Sequence, residues 1–244
     1  MDPGNQDNRF GGGDDRFGGP TGSPFGGGFG DGPGPGRGPE GLHLCAWEQR
    51  ERYGFLNALF LTTREVLTAP GTFFGSMPSR LGLGQPLLYA IILGLLAALL
   101  GWVWSLTGSS LRTLASGDVL HGIVGPVPSF VAFLASPLTT ALDVLVRAAL
   151  MHLLLMLLGG NQLGFEATFR VAAYAKAAGV LALLPFCGGF VAVLWELAID
   201  VIGLYRIHAT DPWRALVAVL APAVLCFSTI AAAVLLVVLG AAAS

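Results

Sequence analysis

The sequence predicts an all-α membrane protein, a bundle of about five transmembrane helices that carries a disordered N-terminal tail. Three observations predict it. Only 11% of the 244 residues are charged while 54% are hydrophobic, against a charged share of about 25% in soluble domains. The imbalance is also segregated, because residues 86–244 hold only 12 of the 28 charged side chains, 13 basic and 15 acidic in all, together with nearly all the long aliphatic runs. Finally, a helix rising about 1.5 Å per residue needs about 20 apolar residues to cross about 30 Å of hydrocarbon. Five stretches meet that length, at about 86–107, 136–158, 166–185, 188–208 and 215–241.

Residues 1–44 read as a disordered, Gly/Pro-rich cytoplasmic tail. Sixteen glycines fall within residues 1–41, and Arg-Phe-Gly-Gly occurs at Arg9 to Gly12 and again at Arg16 to Gly19. Such a stretch buries too little apolar surface to offset its ordering entropy. Phe10, Phe17, Phe25 and Phe29 are spaced by glycine and flanked by Asp and Arg. They suit weak aromatic and cation-π contacts with a partner, beside the plainer role of a flexible tether. No secretory signal peptide is expected, since the first apolar run long enough for export begins near Leu87, so the tail is expected in the cytoplasm.

Residues 45–85 read as an amphipathic interfacial segment. From Trp47 to Leu67, Leu56, Leu59, Phe60, Thr63, Val66 and Leu67 share one helical face, with Asn57, Thr62, Arg64 and Glu65 opposite. That face is too narrow and interrupted to span a bilayer. Trp47, Tyr53 and the arginines at 50, 52 and 64 suit the headgroup zone. Pro70 and Gly71 end the helix, and Phe73, Phe74 and Met77 are expected to dip into the membrane before the first span.

Residues 86–244 form the predicted five-helix transmembrane domain. The first span opens after Pro86 and ends in Trp102 and Trp104, an aromatic pair that fits an interfacial belt. Only Pro185 to Gly189 separate spans three and four, which predicts a tight antiparallel hairpin. The longest connection is 108–135, where Pro126, Pro128 and Pro137 argue against one regular helix. With the tail inside, Arg50, Arg52, Arg64, Arg80, Arg170, Arg206 and Arg214 lie near cytoplasmic ends and only Arg112 lies outside. The positive-inside rule therefore predicts an inner-membrane protein with its N-terminus cytoplasmic and its C-terminus outside.

The residues most apt to carry chemistry are ionisable side chains at mid-bilayer depth: Asp143 and Arg147 in span two, Lys176 in span three, Glu196 and Asp200 in span four. Each alone there costs at least about 2.5 kcal/mol on insertion scales, so they are expected to pair. Asp143 and Arg147 stand i,i+4 with the acid N-terminal, the better orientation. Glu196 and Asp200 are also i,i+4, and two like charges on one face need cations or protonation. Lys176 and Arg147 can supply the cations, although Lys176 could instead snorkel toward the cytoplasmic end. Two readings compete: polar glue that fixes helix register, and an ion- or proton-coupled path.

Other chemistry has little support. Cys45, Cys187 and Cys226 are an odd set without Cys-x-x-Cys spacing, which argues against a disulfide framework or zinc site. His43, His121, His152 and His208 are scattered, and read as isolated histidines rather than metal ligands. No nucleophile elbow, zinc-protease signature or phosphate-binding glycine loop occurs in the membrane region. The chain is therefore not expected to be an enzyme or to hold a cofactor. A net charge of −2 gives no global pull toward nucleic acid.

Several ordered stretches resemble the Yip domain family, whose eukaryotic members are Ypt/Rab-interacting membrane proteins. They are Ala46-Trp47-Glu48 with Arg50-Glu51-Arg52, then Thr63 to Pro70, Phe73-Phe74 and Met77-Pro78. A second set is Leu157 to Gly160, Phe165 to Tyr174, Pro185, Trp195, Gly203-Leu204 and His208. The resemblance covers roughly residues 45–240 and is closest to bacterial members; of 13 basic residues only Lys176 is lysine, a bias of GC-rich bacterial genomes. It implies a five-span bundle with a cytoplasmic N-terminal region. The tyrosine-glycine-proline motif of the eukaryotic members is missing between Pro78 and Gln85, so the Rab role is not carried over. Lys176 and Glu196 stand where the family pattern is less charged, which makes their pairing local to this chain. The expected role is a non-enzymatic scaffold or adaptor, with a small transporter as the alternative. Expected partners are membrane lipids, proteins met through the tail, and a second copy of the chain.

Overall fold

The structure is a computed structural model that describes residues 44–78, 80–117, 124–185 and 187–243. The expected disordered tail thus lies outside the described residues, apart from Leu44, as do His43 and His121. Among the described residues every regular element is helical. A 3-10 turn at Ala46–Gln49 leads into α1 (Arg50–Tyr53), α2 (Phe55–Thr68) and α3 (Pro70–Ser76). Long helices follow: α4 (Gly84–Ser116), α5 (Val127–Leu157), α6 (Phe165–Ala175) with its 3-10 continuation Lys176–Leu183, α7 (Gly188–Ile207) and α8 (Pro212–Ala243).

Of these, α4 and α5 are long and apolar enough to cross a membrane among the described residues, and Pro212–Leu225 forms a shorter apolar helix. Their outward faces are aliphatic. Leu96, Leu99 and Val103 on α4 and Leu138, Leu142, Leu145 and Val146 on α5 are all exposed, greasy faces that suit lipid better than water.

The connection between these two helices differs from the expected 108–135. Helix α4 runs on to Ser116, where Gly117 adopts a left-handed conformation (φ 72°) and its N–H closes on the Thr113 carbonyl. Helix α5 begins at Val127, with Pro126 as its N-cap and Pro128 in the first turn, positions where a missing N–H breaks no helical bond. Pro137 lies inside α5. Its missing N–H leaves the Phe133 carbonyl without a helical donor, and the Ser136 hydroxyl donates to that carbonyl at 2.8 Å. Local side-chain repair explains why a proline expected to interrupt the helix is carried within it.

α6 is the central element, with Ala167 to Ala175 all buried. Its alanine-rich sequence lets α4, α5 and α7 approach closely. Beyond it the expected continuous α-helical span is a 3-10 run of eight residues. A tight turn then follows, with Gly188 N–H donating to Leu184 O at 3.1 Å, as the short hairpin connection requires. Two glycines mark the closest crossings. A Cβ on Gly94 of α4 would collide with the Thr140 side chain of α5, and one on Gly203 of α7 would lie 2.6 Å from Val171 Cγ1 of α6.

The segment before α4 packs differently from the expectation. Trp47 is fully buried rather than in a headgroup zone, and Phe73, Phe74 and Met77 are buried within the protein rather than in lipid. In α2 the inward residues are Ala58, Thr62, Thr63 and Val66, so Thr62 turns in, while Leu56 and Phe60 are 76% and 64% exposed. Hydroxyl partners explain why both threonines turn in: Thr62 Oγ1 accepts from Trp47 N–H at 2.9 Å, and Thr63 Oγ1 meets Tyr89 OH at 2.9 Å.

Candidate functional site: a charged cluster inside the helical bundle

Asp143 and Arg147 project from α5, Lys176 opens the 3-10 continuation of α6, and Glu196 and Asp200 share one face of α7. The five side chains meet. Arg147 Nη1 contacts both Glu196 Oε1 and Asp200 Oδ2, the latter at 3.1 Å. Lys176 Nζ lies 2.6 Å from Asp143 Oδ2 and 2.9 Å from Glu196 Oε1, so it pairs inward rather than snorkelling. The intrahelical Asp143–Arg147 pair is the longest contact at 4.0 Å. Arg147 Nη2 instead donates to the Ala172 carbonyl of α6 at 2.9 Å. Two cations thus face three carboxylates across three helical segments. Asp200 is fully buried, and neither of its carboxylate oxygens accepts a hydrogen bond of good geometry.

Beside this cluster lies a cavity of about 390 Å³ between α5, α7 and α8, walled by Asp143, Arg147 and Asp200 and otherwise by apolar side chains such as Leu150, Val219 and Pro222. Pro222 lies within α8 and deprives the Ala218 carbonyl of its helical donor.

A second polar grouping was not legible from the spacing of the sequence. Arg170, fully buried in α6, pairs with Glu48 of the N-terminal 3-10 turn. Tyr174 OH donates to the same Glu48 oxygen at 3.0 Å, and Cys45 Sγ lies 3.4 Å from Tyr174 OH. Arg170 also donates from Nε to Met77 Sδ and from Nη1 to the Gly82 carbonyl, each at 3.4 Å. Burial, with the Glu48 carboxylate adding to it, pushes the Cys45 thiol up to about 11. Trp47 completes the strap by donating from Nε1 to the Gln85 carbonyl at 2.8 Å. The available signal was Arg170 itself, a cation in an otherwise apolar turn, which the sequence places near a cytoplasmic helix end without a partner.

His152 and His208, expected to be isolated, are linked through Thr168. His208 Nδ1 accepts from the Gln162 and Leu163 amides, each at 3.3 Å, so the ring proton resides on Nε2. Nε2–H then donates to Thr168 Oγ1 at 3.0 Å, which leaves the Thr168 hydroxyl to donate to His152 Nδ1 at 3.2 Å. Among the described residues no three His, Cys, Asp or Glu side chains are grouped as a metal ion would need.

Described residues that form only helices, show aliphatic faces outward and pair charges inside mark a membrane protein. The chain belongs to the Yip1 domain family, which it matches over residues 64–239, well over half its length. Trp47 and Glu48 lie before that match. No curated protein and no solved structure matches the chain.

Proposed function

We propose that this member of the Yip1 domain family is a non-enzymatic scaffold that organises the inner membrane, akin to bacterial members of the family. In this reading the bundle crosses the bilayer five times, from a cytoplasmic N-terminus to an outer C-terminus, and residues 1–44 form a tail for protein partners. The interfacial role falls to the outward face of α2, where Phe55, Leu56 and Phe60 are exposed next to Arg52 and Arg64, an arrangement that suits a lipid surface. A second copy of the chain and membrane lipids are the remaining partners; nucleic acid is not.

The observation that carries the reading is the use made of the five charges. Arg147 joins α5 to α7, and Lys176 joins the α6 continuation to both. Charges spent on one another across helices fix register, which a scaffold needs. Deleting residues 1–44 and mapping protein contacts by crosslinking in membranes tests it. Contacts that vanish with the tail support an adaptor; an unchanged contact map overturns that role.

The cavity beside Asp200 favours a second reading, a small transporter. Replacing Glu196→Gln and Asp200→Asn together and measuring flux in liposomes separates the two. Abolished flux supports transport, whereas unchanged flux with weakened helix assembly supports the scaffold.

A further inference from the structure

The cavity between α5, α7 and α8 combines two properties that one kind of ligand would satisfy. Its volume of about 390 Å³ falls in the range of small-molecule pockets, and its wall is mostly apolar, as such pockets are. At one place, however, it meets Asp143, Arg147 and Asp200. The electrostatic balance there is uneven. Asp143, Glu196 and Asp200 bring three carboxylates against Arg147 and Lys176, and Arg147 divides itself between two acids and the Ala172 carbonyl. Asp200 has 0% of its surface exposed and carries Oδ1 without any hydrogen-bond donor.

A buried carboxylate oxygen without a donor is unfavourable. A water molecule could donate to that oxygen but, being neutral, would leave the excess of carboxylates over cations in place. An anion such as a fatty acid would add to the excess negative charge. A neutral alcohol could donate but would leave that excess in place. A quaternary ammonium would balance the charge but has no N–H to give.

We infer that this cavity binds a lipophilic ammonium, a protonated primary or secondary amine on an aliphatic or alicyclic body, with its N–H directed to Asp200 and its body against Leu150, Val219 and Pro222. Binding of this kind requires no transport and is independent of the tail, so it goes beyond both functional readings above.

Photolabelling tests it. The full-length protein in phosphatidylcholine nanodiscs is irradiated with an eight-carbon primary amine bearing an alkyl diazirine, and adducts are mapped by mass spectrometry. The expected adducts lie within residues 142–151 and 219–223. Octylamine should compete, while octanol, octanoate and octyltrimethylammonium at equal concentration should compete on the order of tenfold less well, the size of a lost hydrogen bond to a charge. Asp200→Asn should lower labelling at those residues by a similar factor. Adducts spread over the lipid-facing surface, or equal competition by the alcohol and the amine, would overturn the inference. So would undiminished labelling of a folded Asp200→Asn protein. If that variant fails to fold, the comparison of competitors on the unaltered chain decides.

Discussion

The two buried charge groupings of this bundle solve the same problem in opposite ways. At the N-terminal strap one acid meets one base: Glu48 and Arg170 are both buried, and Arg170 spends its remaining donors on Met77 and Gly82 while Tyr174 adds a donor to the acid. In the α5–α7 cluster three acids share two bases, Asp143 is half exposed, and a cavity adjoins the buried Asp200. The first is a closed lock between a 3-10 turn and the central helix. The second is an open network in which three acids outnumber two bases. Both sets join helices, but the matched pair is closed on itself, whereas the set with more acids than bases is the one that suits the further cation inferred above.

The strap predicts the largest effect. Arg170→Met leaves Glu48 buried opposite an apolar side chain, and removing one partner of a buried pair costs about 3–5 kcal/mol. The unfolding midpoint of the purified protein should fall sharply, and the double change Glu48→Gln with Arg170→Met should recover much of the loss. A single variant that unfolds like the parent would break the contrast between the groupings.

Lys176→Met sharpens it from the other side. Asp143 keeps a contact to Arg147 at 4.0 Å, and Glu196 also keeps Arg147, so the expected loss is smaller, about 1–3 kcal/mol in the same measurement. A cost equal to that of Arg170→Met would mean that the cluster is as closed as the strap.

The smallest effect on stability, and the clearest on chemistry, concerns the thiols. Cys45 sits inside the strap with its thiol pushed up to about 11, so it remains protonated and shielded at pH 8, where Cys187 is exposed. In a Cys226→Ser background a maleimide should label Cys187 within minutes and Cys45 only after denaturation. The Cys45 rate should rise as pH approaches 11, because the thiolate is the nucleophile. Rapid labelling of both at pH 8 would show the strap to be open.

How far the sequence could be read follows from how local each cause is. Aliphatic runs marked the long helical rods because hydropathy is a sum over neighbours in the chain, and the Pro185 to Gly189 hairpin was visible for the same reason. The charges at 143, 147, 176, 196 and 200 stood out because each is an ion in an apolar run. Pro137 misled, since its effect depended on the Ser136 hydroxyl finding the Phe133 carbonyl. Trp47 misled because an indole suits an interface as well as a core, and only the Gln85 carbonyl decided between them. The His152–Thr168–His208 chain joins residues 16 and 40 positions apart, a relation that periodicity does not encode.

The sequence by itself determined a membrane-embedded helical domain of the Yip1 kind, because few charges among many aliphatic side chains leave lipid as the only good solvent. Tertiary structure alone decided which ions meet. Ion pairing falls steeply with distance in a medium of low dielectric constant, and the distances between Glu48 and Arg170, or between Arg147 and Asp200, exist only once the helices have packed.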